Sequence, residues 1–70
     1  MHRSNRLIIR DAEVVGVIAR SGDTAGIAAI ERHWGMSLTS VIDSLWDEAH
    51  EAGLYSIADD MENLYNWLTA

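Results

Sequence analysis

The sequence predicts an all-α fold: a small four-helix domain built as two antiparallel helical hairpins and completed by dimerisation. Three observations predict it. Between Ser37 and Leu54, the apolar residues Leu38, Val41, Ile42, Leu45, Trp46 and Ala49 recur at alternating spacings of three and one, the period of an amphipathic helix. Cap residues divide the rest of the chain into helix-sized pieces, with Gly22, Gly35 and Gly53 at the expected C-terminal ends. No segment shows the period-two alternation that a strand would need to find a partner. Short connections between helices make consecutive ones antiparallel neighbours.

Residues 1–5 read as a flexible N-terminus and residues 6–70 as a single helical domain. The first helix spans Arg6 to Arg20, with Asn5 or Asp11 available as its cap. Its β-branched residues favour strand. A hairpin within it would have to turn at Arg10 to Glu13, which holds no Gly, Asn or Pro, so helix is the better reading. One stripe carries Ile8, Ala12, Val15, Ile18 and Ala19; a second carries Leu7, Val14 and Val17. A domain of this length covers one such stripe, so Leu7, Val14 and Val17 are the expected dimer interface. Gly16 is expected where a neighbour packs closely.

Ser21-Gly22-Asp23 breaks the chain, and a second helix from Thr24 to Trp34 buries Ile27, Ile30 and Trp34 before Gly35 ends it. The central helix follows, capped by Ser37, stapled by Met36 onto Val41 and closed by Gly53 with Leu54 folding back. A fourth helix is expected to start at a Ser56/Asp59 capping box, with Ile57, Met61, Leu64, Tyr65 and Leu68 as its buried stripe. An offset of nineteen also aligns Ser37–Asp47 with Ser56–Asn66 by chemical type, a faint repeat that any two capped amphipathic helices would show.

Charge is distributed unevenly. All five arginines, Arg3, Arg6, Arg10, Arg20 and Arg32, precede Met36, leaving that half near +1, whereas the residues from Ser37 onward carry seven acids and no Lys or Arg. Such a half is a poor ligand for phosphate and a good one for a basic surface. Without cysteine, disulfides and thiolate metal sites are ruled out, and with no leading apolar run the chain reads as a cytoplasmic protein that does not enter a membrane.

Ile27 to Leu45 has the spacing of a helix-turn-helix, which would make the central helix the reader of a major groove. Its outward residues Thr39, Ser40, Asp43, Ser44, Asp47 and Glu48 include no cation, so nucleic acid is an improbable partner. Asp47 and His50 have the spacing of a shared metal site, but the fourth helix has no histidine to complete it, and a histidine near a helix C-terminus has a simpler rationale in the dipole. No catalytic grouping, cofactor motif or metal site is expected.

The expected function is therefore that of a small acidic binding module that docks on a basic surface of a larger protein and inhibits or modulates it, with Asp43, Asp47, Glu48, Glu51, Asp59, Asp60, Glu62 and Trp67 as the partner-binding residues. Trp67, a quarter-turn off the apolar line, is expected to be partly exposed, either against the first helix or as an aromatic anchor. In size and charge alone the chain resembles the small acidic inhibitors made by phages and mobile elements. The alternatives are a helix-turn-helix transcriptional regulator and a self-assembling structural adaptor.

Overall fold

A computed structural model describes residues 3–70. Four helices follow one another, α1 (Asn5–Ser21), α2 (Thr24–Trp34), α3 (Leu38–Glu51) and α4 (Tyr55–Thr69), with no strand among the described residues. Of the N-terminal segment expected to be flexible, Met1 and His2 lie outside the described residues. Ser4 is the cap of α1, and Asn5 is already helical. Neither Asn5 nor Asp11 caps, because Ser4 stands one residue before the first helical position and its Oγ accepts from the Leu7 N–H at 3.4 Å.

The two connections flanking α3 show why its boundaries stand out from the residues alone. Ser37 Oγ accepts the Ser40 N–H, and the Leu38 N–H is taken by the Glu31 carboxylate at 2.9 Å. Glu31 serves the corner twice, since its carbonyl also accepts from Gly35 and Met36. At the far end Gly53 adopts φ +78°, Leu54 N–H reaches back to the Ala49 carbonyl, and Gly53 N–H to that of His50. This is a Schellman closure, with Leu54 packed against the cluster of Ile8, Ala49 and Ala58. Met36 places its sulfur within 3.7 Å of Ser44 Oγ.

The expected start of α4 is corrected. The helix begins at Tyr55 with Leu54 before it, no side chain caps it, and Ser56 lies inside the first turn. Leu54 completes the α3 closure and its carbonyl already accepts from Ala58, which leaves no room for a separate Ser56 cap. The alignment of Ser37 with Ser56 therefore does not extend to their roles.

α3 packs against all three other helices, most extensively against α4, whereas α2 and α4 do not approach one another. Leu38, Val41, Ile42, Leu45 and Ala49 of its stripe are buried. Around them gather Ala12, Val15 and Ala19 of α1, Ile30 of α2, and Met61 and Leu64 of α4, while Ile8, Ala49 and Ala58 form a smaller cluster joined through Trp46 and Ile57. Trp34 and Trp46 close the edges of this core and stay half-buried. No polar or charged residue is buried among the described ones. The core is thus held by apolar packing, and removing Leu45 to Ala would cost about 2–5 kcal/mol, much of the stability of a domain this small. The thinnest dimension is 16 Å, two layers of helix, so every helix keeps an outer face.

Candidate functional site

Because α3 lies between its neighbours, its two flanks open onto different grooves, and the acids expected to form one face are divided between them. On the α4 flank, Ile42, Asp43 and Trp46 of α3 face Met61, Glu62 and Tyr65 of α4 across a groove of about 230 Å³. Ile42 and Met61 are fully buried and make an apolar floor. Trp46 and Tyr65 form aromatic walls, and Asp43 and Glu62 bring one carboxylate from each helix. Toward the start of α3, Thr39 and Ser40 extend the same face beside Asp43 and Tyr65. Toward its end the Trp46 indole stacks on His50, centroids 4.8 Å apart, and His50 meets Tyr55 edge-on at 5.4 Å. Neither α3 nor α4 contains Lys or Arg.

The opposite flank of α3 is already neutralised. Arg3 donates to both Glu48 oxygens at 2.8 and 2.7 Å and to Asp11 at 2.6 Å, and its guanidinium lies 5.3 Å from the centre of the Trp34 ring. One residue from the N-terminal arm thereby joins α1, α2 and α3. The guanidinium is held above its ordinary pKa, chiefly by the hydrogen bond to Glu48, against the opposing effect of desolvation. A raised pKa on a cation contributes stability that is complete below its unfolded value, far above neutrality for a guanidinium, so this contribution is constant across the whole neutral range. Glu51 is exposed and is also engaged by an interaction of its own.

Asp47 and Asp59 are exposed on α3 and α4. Asp60 belongs to a third groove, between α1 and α4, which it shares with Arg20, Ile9, Val17 and Ile57. Trp67 is 59% exposed. Val14 and Val17 are exposed too, but they do not share a groove: Val14 borders the cleft toward α2 and Val17 the cleft toward α4, while Leu7 is half-buried. Among the described residues, no three side chains of His, Cys, Asp or Glu come together as a metal site would need.

Sequence reasoning misses two of the six groove residues in their roles. Tyr65 belongs to the expected buried stripe, yet it is 40% exposed and stands at the groove wall. Its place on the Glu62 side of the Met61–Leu64 line is the available signal. Trp46 is expected in the core, and its position one residue past Leu45, beside Asp43, puts it at the edge. No protein-family model, curated protein or solved structure matches this chain.

No helix among the described residues is long and apolar enough to cross a membrane.

Proposed function

We propose that the protein is a non-catalytic binding module whose α3/α4 face docks on a basic surface of a larger protein and inhibits or modulates it. The observation that carries this is the groove between Ile42, Trp46, Met61 and Tyr65, in which an apolar floor and aromatic walls are flanked by Asp43 and Glu62. Aromatic residues in a partly desolvated pocket with charge at its rim are the usual anchors of protein interfaces. Asp47 and Asp59 extend the negative field around it and would speed encounter with a cationic partner.

Affinity capture from the native cell tests this when wild type is compared with the D43K/E62K double variant. A protein retained by the wild type and lost with the variant supports the reading. A partner held equally by both would move the interface off this face.

Self-association is the second part of the proposal, with two antiparallel hairpins of one protomer closed by those of another. Val17 is 64% exposed beside Ile9, and Val14 is 46% exposed on the flank of α1 toward α2. The face around Val17 carries Arg20 and Asp60 together, a mixture of charge that can complement itself across a two-fold axis. Sedimentation velocity should show the V17K variant less associated than wild type at equal concentration, and an unchanged mass would contradict it.

A further inference from the structure

We infer that the α3/α4 groove is a slot for a single arginine side chain of the partner, an inference that rests on the binding role proposed for this face. The grooves of this molecule differ in whether they supply their own cation. The α1/α4 groove contains Arg20 beside Asp60 and Glu13, and the groove at Glu48 and Asp11 contains Arg3. The α3/α4 groove has Asp43 and Glu62, and neither helix contains Lys or Arg. Its shortfall is one positive group placed between two carboxylates.

The rest of the lining determines what that group is attached to. Ile42 and Met61 give the floor no hydrogen-bonding side chain, so an aliphatic stem is favoured there. A purely apolar side chain would fill the floor but withdraw water from two carboxylates without pairing them, which is unfavourable. A lysine would pair them but is a compact, strongly hydrated charge that gains little from the rings. A guanidinium is planar and weakly hydrated, stacks on Trp and Tyr, and presents five donors that can meet carboxylates on two sides at once. The same chain already shows this combination at Arg3, which lies over Trp34 while bound by Glu48 and Asp11.

The test is a nitrogen-15 amide titration of the full chain with N-acetyl-arginine methylamide and with the lysine and norleucine analogues. The arginine compound should give saturable shifts at the Trp46 indole N–H and at the Asp43, Glu62 and Tyr65 amides. The lysine compound should bind more weakly by about threefold or more, as should arginine to the D43N and E62Q variants, the size expected when one exposed charge pair is weakened or lost. The norleucine compound should not produce these shifts. Equal response to arginine and norleucine, shifts centred elsewhere, or unchanged binding by both variants would overturn the slot. These outcomes are independent of partner capture: a partner lost on D43K/E62K with no arginine preference in the titration leaves the docking face and removes the slot. Arginine binding that persists while a partner is captured equally by wild type and D43K/E62K would remove the docking face and with it the slot's assignment to a partner.

Discussion

Replacing Arg3 by alanine should destabilise the domain far more than its place near the chain start suggests. The side chain makes a two-point contact with Glu48, a third hydrogen bond to Asp11 and a cation–π contact with Trp34. It remains 36% exposed, so solvent screens these charges and each must be valued as a surface pair. Two ion pairs at about 0.3–0.7 kcal/mol each and a ring contact near 0.5 kcal/mol together give about 1–2 kcal/mol. For a domain of this size that corresponds to a fall in Tm of about 5–15 °C. Arg3→Lys should recover less than half of the loss, because an ammonium cannot reach both Glu48 oxygens in a fork and stack on the indole together. The assay is thermal unfolding followed by circular dichroism at low and high salt, with a double-mutant cycle against Glu48→Gln to isolate their coupling. A Tm within about 1 °C of wild type for Arg3→Ala, or no coupling to Glu48→Gln, would refute the view that this arm clasps three helices.

Other substitutions separate features that look alike in the sequence. Ser37→Ala should cost about 1 kcal/mol by removing the α3 cap, while Ser56→Ala should be close to neutral; urea unfolding distinguishes them, and equal costs would restore the capping role expected for Ser56. Gly53→Ala should lose about 1 kcal/mol because φ +78° is strained for any residue with a Cβ, and an unchanged urea midpoint would count against the Schellman closure. Gly16→Ala should be stabilising by about 0.5–1 kcal/mol, since the added Cβ would meet only the movable end of Arg20. The same change at Gly26 should destabilise, because the Cβ would crowd Ile18 and the Asp23 side chain that caps α2; a matched gain at both sites in thermal unfolding would contradict this.

The parts of the fold that can be read from the residues alone are those encoded locally. The α3 stripe, the Ser37 cap and the Gly35 and Gly53 closures each depend on residues within one or two turns of each other, and all are found in place. What cannot be read this way depends on residues far apart in the chain. Arg3 and Glu48 are 45 positions apart, and no local pattern relates them. The acids of α3 read as one solvated surface because their spacing sets only the angle around the helix. Which neighbour lies on each side, α4 beside Asp43 and the N-terminal arm beside Glu48, is a tertiary fact. Ser56 misleads for a related reason: it is a good cap by composition, but Leu54 is already committed to closing α3, and the tight corner starts α4 two residues early. The groove itself is half visible. Asp43 and Glu62 stand out as binding residues by charge alone, whereas Trp46 and Tyr65 look like core because apolar stripes do not show where the core stops.

Photo-crosslinking from within the α3/α4 groove determines whether this is the face presented to a partner. Tyr65 stands exposed at the groove wall and can be replaced by benzoylphenylalanine without disturbing the buried floor. The same photoreactive residue at Val17 or at Trp67 samples the other exposed apolar positions. Covalent capture of a partner from position 65, mapped by mass spectrometry to an arginine-containing segment and absent from positions 17 and 67, is the predicted result. Crosslinking to that partner from position 17 or 67 with none from position 65 would contradict the account.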